Sequence, residues 1–198
     1  MTKKNSLGLA VVERFWNGRP GYTVKPLFDL LGEDDRDFGS VIYKRTKLTN
    51  NFLKAIKGFA SDGDVLRLHI AAHGRRGPRR GHGRISGVSH NATVAAIKPG
   101  RGRIEGVFLA ACNVGRTLPS RILREADVEW VAYYNSPAPW IPSAFFEAEF
   151  WYHFHHMKSI DRVARKINQR YHALSDLLGF RILARRDDDL IPLVEVKR

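Results

Sequence analysis

A chain of 198 residues with 43% apolar side chains is long enough to bury one substantial core, and its single cysteine excludes an internal disulfide. No apolar run approaches the ~20 residues a membrane-spanning helix needs. Lys3 and Lys4 precede the apolar stretch Leu7–Val12, but that stretch is short, is followed by Glu13 and Arg14, and lacks a small-residue cleavage site, so it reads as a strand rather than a signal peptide.

With 33 Lys plus Arg against 20 Asp plus Glu, the net charge of +13 favours polyanions or acidic partner surfaces and keeps nucleic acid in view. The lone thiol fits a cytoplasmic setting. A cysteine alone is most often a small buried hydrophobe, so only its neighbours can argue for chemistry.

In chain order, Leu7–Phe15 reads as a buried strand, ended by the turn signal Asn17-Gly18-Arg19-Pro20-Gly21. A short helix over Val24–Leu31 and a strand over Val41–Lys44 follow. Thr49 or Asn50 is a candidate cap for a helix over Phe52–Phe59, whose Phe52, Leu53, Ile56 and Phe59 share one face.

Val65–Ala72 has the composition of a strand buried on both sides, and Val107–Ala111 reads as the next strand, ending at Cys112. A helix begins at Thr117 with Pro119 in its first turn, and Val128–Tyr134 is a fifth strand closed by Asn135-Ser136-Pro137. Ser143 is expected to cap an aromatic-rich helix running to Met157, with Phe145, Phe146, Phe150, Trp151 and Phe154 forming core or a partner surface. Ser159–Leu178 reads as one continuous amphipathic helix stopped by Gly179, and Phe180–Ala184 with Leu190–Val196 as a closing hairpin.

Strands alternating with helices predict a single α/β domain over 1–198: three layers, with a mostly parallel central sheet covered by helices on both faces. The stretch Gly74–Arg103 carries eight basic residues (Arg75, Arg76, Arg79, Arg80, Arg84, Lys98, Arg101, Arg103) and no acidic one, and reads as a basic insertion between strands, with a small hairpin around Arg84–Val88. A solvated loop, a docking surface for an acidic protein and a phosphate-contacting segment all fit it. No aromatic residue is interleaved there to stack on bases.

In open α/β sheets the reactive groups gather beyond the carboxyl ends of the strands. Two residues obey that rule: His73 follows Leu66–Ala72, and Cys112 follows Val107–Ala111. If those strands are neighbours, the imidazole and thiol can face each other. A cysteine must be a thiolate to attack a carbonyl, and a nearby imidazole and the N-terminus of the following helix both favour that anion.

The oxyanion that forms after attack needs two fixed donors, for which the backbone N–H groups of Gly74 and Cys112 are the candidates. His73 would then protonate the departing amine, and water would release the thioester. Nothing marks a third carboxylate, so the expected machinery is a dyad.

The ordered pair of elements His69-Ile70-Ala71-Ala72-His73-Gly74 and Val107-Phe108-Leu109-Ala110-Ala111-Cys112 resembles the signature of the caspase-like (clan CD) cysteine peptidases. The stretches Glu129–Tyr133 and Ser143–Phe146 look more like the separase-related bacterial caspase-like domains than like animal caspases. The resemblance spans roughly Leu7–Met157 and implies a caspase-like sheet, a protein or peptide substrate, a His73/Cys112 catalytic pair and activation by processing or by a protein partner.

Ala110 stands where animal caspases carry Gln, and Cys112 follows His73 at a spacing of 39 positions, which weakens a transfer of aspartate specificity. Ala110, Ala111, Asn135 and Ser136 supply no carboxylate of the kind used by relatives that cut after Arg or Lys. Asn135 and Ser136 remain candidates for substrate contact. The alternative function is a catalytically silent caspase-like adaptor or basic nucleic-acid-binding protein, with nucleic acid held by the 74–103 segment.

No cofactor is implied. His153, His155 and His156 invite a zinc site, but no Cys or spaced carboxylate completes one, and a partly exposed helix face is the expectation. His69 is expected to be buried and hydrogen-bonded, and His82 and His90 solvated.

Overall fold

The computed structural model describes residues 8–15, 23–34, 41–77 and 82–194. The turn expected over Asn17–Gly21, Arg79, Arg80 and the end of the strand expected to reach Val196 lie outside them.

Short apolar runs with β-branched residues form a seven-stranded sheet: β1 (Leu9–Arg14), β2 (Ile42–Thr46), β3 (Arg67–Ala71), β6 (Gly106–Ala110), β7 (Trp130–Tyr134), β8 (Phe180–Arg186) and β9 (Asp189–Val194). A separate two-stranded hairpin joins β4 (Gly74–Arg75) to β5 (Arg84–Ile85). The main sheet has the order β2-β1-β3-β6-β7-β8-β9. The first five are mutually parallel, whereas β8 runs antiparallel to β7, and β9 antiparallel to β8.

Helices α1 (Lys25–Asp34), α2 (Thr49–Ser61), α3 (His90–Ile97), α4 (Thr117–Glu125), α5 (Trp140–Met157), α6 (Ile160–Arg170) and α7 (His172–Leu178) divide between the two faces. Because side chains alternate along a strand, Leu68, Ile70, Val107 and Leu109 pack with Phe52, Ile56, Val94 and Ile122 of α2, α3 and α4. Ala71, Phe108, Ala110 and Trp130 pack with Phe28, Phe150, Trp151 and Val163 of α1, α5 and α6. The fold is therefore the expected three-layer α/β arrangement, with a mostly parallel sheet between two helical layers. No helix among the described residues is long and apolar enough to cross a membrane.

Phe108 centres the second layer, with ring centroids 4.9 Å from Phe150, 5.7 Å from Phe180 and 5.8 Å from Tyr134. Phe145 departs from the expected cluster: it is exposed, while Phe146, Phe150, Trp151 and Phe154 are buried.

Four local expectations are corrected. The 74–103 segment forms the β3-to-β6 crossover and holds more than a loop with a hairpin around Arg84–Val88. It holds the β4–β5 hairpin, which pairs Gly74 with Ile85, and α3, which buries Thr93, Val94, Ala96 and Ile97. Ser89 caps α3, its side chain accepting from Ala92 N at 3.1 Å.

The basic residues there split in role as well. Arg103 donates to the carbonyls of Val65 and Ala60, and Arg101 lies 3.6 Å from Asp127. Helix α2 starts at Thr49, so Thr49 and Asn50 lie inside its first turn, and the capping position falls to Leu48, without a side-chain cap.

Helix α5 starts at Trp140, and Ser143 is already helical, its N–H donating to Pro139 O at 3.0 Å. The long helix breaks at Tyr171 into α6 and α7, with Tyr171 at φ −120°, ψ 18°. The Tyr171 hydroxyl donates to Glu149 Oε2 at 2.7 Å and lies 3.3 Å from His153 Nε2, which anchors the break to α5.

Candidate active site

Strands β3 and β6 are parallel neighbours in the register Arg67↔Gly106 through Ala71↔Ala110. The pairing continues one residue further, with Ala72 N donating to Ala110 O at 3.1 Å. His73 and Cys112 each lie two residues past the matched Ala71↔Ala110 pair, at the carboxyl end of the sheet, so the condition that the two strands be neighbours is met.

The two ends touch through backbone. A Cβ built on Gly74 would lie 1.5 Å from the carbonyl oxygen of Cys112 and 2.6 Å from its nitrogen, so only glycine fits there. Ser86 N donates to His73 O at 2.8 Å, which makes Gly74↔Ile85 a non-hydrogen-bonded pair of the small hairpin and leaves the Gly74 N–H outside that ladder. Among the described residues no backbone acceptor takes the Cys112 N–H.

After Cys112 the chain turns at Asn113, with φ 53°, and Gly115, with φ 70°. Asn113 N donates to Ser136 O at 3.1 Å and Val114 N to Tyr134 O at 2.9 Å, which ties the turn to the end of β7. Helix α4 starts only at Thr117, five positions beyond Cys112. The dipole expected from that helix is thus replaced by a closer donor. Ala138 N–H points at Cys112 Sγ at 3.3 Å, and the thiol lies 3.6 Å from Ala138 O. The sulfur thus accepts from the Ala138 N–H and can donate its S–H to the carbonyl of the same residue.

His73 is exposed. Partial burial, and then the positive charge of Arg14, hold its imidazole below the ordinary histidine value. Arg14 ends β1, the other neighbour of β3, and its guanidinium donates to Ser86 O. Arg14 therefore faces the carboxyl edge at the point where the strand order reverses about β1 and β3, the place where α/β sheets open a crevice. The residue pattern did not mark Arg14, because the first strand reads through to Phe15, whereas the observed strand ends at Arg14.

Asn135 and Ser136 border the same edge. Asn135 is exposed, and its N–H donates to Gly179 O at 2.8 Å. Ser136 holds the Cys112 turn through its carbonyl and packs its hydroxyl on Gly179, where an added Cβ would approach to 2.1 Å. Ala138 had no signal in the sequence, because its contact is backbone alone.

Beneath the site, His69 is fully buried, as expected. Its Nδ1 accepts from Trp151 Nε1 at 3.0 Å, and its Nε2 faces Glu147 Oε2 at 3.3 Å. The Tyr134 hydroxyl donates to Glu147 Oε1 at 3.0 Å, and burial followed by the Glu147 charge pushes that phenol well up. His82 is exposed, whereas His90 departs from expectation: it is half-buried, with Nε2 2.9 Å from Gly83 O.

Of the three α5 histidines, His155 is buried, His153 faces Glu149 at 3.4 Å, and His156 packs edge-on to Tyr152. Among the described residues no group of three His, Cys, Asp or Glu side chains could hold a metal ion. No protein-family model matches the chain, and no curated protein matches it.

Proposed function

We propose that the chain is a caspase-like cysteine endopeptidase that cleaves protein or peptide substrates through a Cys112/His73 dyad. The observation that carries the reading is the parallel β3–β6 register, which brings His73 and Cys112 to one level at the carboxyl edge. The Cys112 thiolate, aided by the Ala138 N–H, attacks the substrate carbonyl carbon. The resulting oxyanion is received by the N–H groups of Gly74 and Cys112.

His73 delivers the proton that expels the amine and then takes one from the water that hydrolyses the thioester, so the enzyme returns to its starting state. An imidazole held below its ordinary value is a better proton donor once protonated. The half-buried single thiol suits a reducing compartment such as the cytoplasm.

The test is cleavage of a diverse peptide library by the wild-type chain beside Cys112→Ala. Cleavage by the first and none by the second is expected. Identical cleavage by both, or none by a folded wild-type chain with or without candidate activating proteins, refutes the proposal and leaves the catalytically silent adaptor as the reading.

A further inference from the structure

We infer that the groove between β2 and the outer face of α2 binds an acidic segment of a partner protein. The groove has a volume of about 760 Å3 and is lined by four cations, Lys44, Arg45, Lys47 and Lys54, against one carboxylate, Asp62. Arg45 is engaged, 3.6 Å from Glu13 and over the Phe15 ring. Among the described residues Lys44, Lys47 and Lys54 have no ion-pair partner, and all three are exposed. Asp62 sits past the carboxyl end of α2, where its Oδ1 accepts from Asp64 N at 3.0 Å. The free charge of the groove is therefore positive.

A second observation points to a ligand. Thr46, at the carboxyl end of β2, is 7% exposed, lines the groove, and has a buried hydroxyl with no hydrogen-bond partner among the described residues. Buried hydroxyls are normally satisfied, so this one is a donor awaiting an acceptor. Lys47 stands beside it, just before α2, whose capping residue Leu48 supplies no side-chain acceptor to its first-turn N–H groups. Carboxylates at this end would meet a hydroxyl, a lysine and a helix N-terminus together.

Further along, the groove is open over Gly58, where a Cβ would touch nothing within 4 Å. Ala55 and the half-buried Phe59 add apolar contact there. Among the described residues Phe59 is the only ring in the lining and packs on the core, so they offer apolar contact and cations to a peptide but no exposed ring on which bases could stack. The site lies two strands from β3, and the inference is independent of the peptidase reading.

The experiment is fluorescence anisotropy with a labelled peptide of alternating Glu and Ser, a Lys/Ser counterpart and a single-stranded oligonucleotide, using the full chain. Gly58→Phe fills the groove while replacing a mid-helix glycine with a better helix former, so its fold is not at risk. The acidic peptide is expected to bind. Gly58→Phe and the double variant Lys44→Glu/Lys54→Glu should each weaken it about tenfold or more, with unchanged circular dichroism and melting. Thr46→Val should weaken it by a smaller factor.

Undiminished binding to both groove variants, or no binding of the acidic peptide up to millimolar concentration, overturns the inference. So does an oligonucleotide that binds more tightly than the peptide and is lost with the same variants, since that outcome makes the groove a nucleic-acid site.

Discussion

Replacing Gly74 by Ala tests the architecture of the site most directly. The new Cβ would sit 1.5 Å from Cys112 O and 2.5 Å from the carbonyl carbon, where ordinary contact requires more than 3.4 Å. The two backbones must part by well over an ångström. They cannot do so freely, because Ala72 N is bonded to Ala110 O just before the contact and Ser86 N to His73 O beside it.

Overpacking of this kind costs about 1–3 kcal/mol, and loss of one adjoining hydrogen bond adds about 1 kcal/mol. The expected total of about 2–4 kcal/mol corresponds to a fall in melting temperature of roughly 5–15 °C for a chain of this size. Gly63→Ala, where the added Cβ meets nothing within 4 Å, is the control and should be close to neutral.

If the proposed chemistry holds, moving the Gly74 N–H by that distance lowers kcat by about 100-fold or more, beyond what the lost stability explains at low temperature. Urea denaturation and peptide turnover below the melting transition measure the two effects. A Gly74→Ala variant within about 0.5 kcal/mol of wild type would refute the close-approach argument. Wild-type turnover in a variant destabilised as expected would refute the donor role of Gly74.

The remaining predictions concern the groups around that contact. Arg14 lowers the His73 pKa, so Arg14→Gln should move the NMR titration midpoint of His73 upward toward the ordinary value of about 6.5, while Arg14→Lys keeps it low. Because His73 must carry its proton to expel the amine, the alkaline limb of the pH–activity profile should move the same way. A midpoint that stays or falls in Arg14→Gln would remove Arg14 as a cause.

Glu147 is shared between Tyr134, whose hydroxyl donates to its Oε1, and His69, whose Nε2 lies 3.3 Å from its Oε2, so Glu147→Ala should cost about 2–5 kcal/mol in urea denaturation by leaving the buried hydroxyl without that acceptor and removing the carboxylate beside the imidazole. Tyr134→Phe removes one hydroxyl, which donates to Glu147 Oε1 and lies 3.5 Å from Ser143 O, and should cost about 1 kcal/mol. Equal costs for the two variants would argue against a shared acceptor.

The fold was legible where the pattern is local. The runs around Val11, Leu68, Val107 and Val131 read as buried strands because a β-strand sandwiched between helical layers is apolar on both faces, and that composition needs no partner to be recognised. The hidden elements had weaker local marks. Helix α3, with the sequence His90-Asn91-Ala92-Thr93-Val94-Ala95-Ala96-Ile97, has little amphipathic contrast, and its place depends on packing between α2 and α4. The break at Tyr171 lacks Gly or Pro and is tied down by Glu149 and His153 from another helix.

His73 and Cys112 were readable because each ends an apolar strand, a one-dimensional property. Which strands are neighbours is not one, and the β3–β6 pairing that brings those ends together belongs to the sheet order. So do the Ala138 N–H on the sulfur and the Arg14 charge beside His73: each joins residues from separate elements, and only the folded packing sets their distance. The residue pattern alone determined an α/β sheet with a thiol and an imidazole at strand ends. The tertiary structure decided that those ends meet, because neighbours across a sheet are fixed by how its helical layers cover both faces.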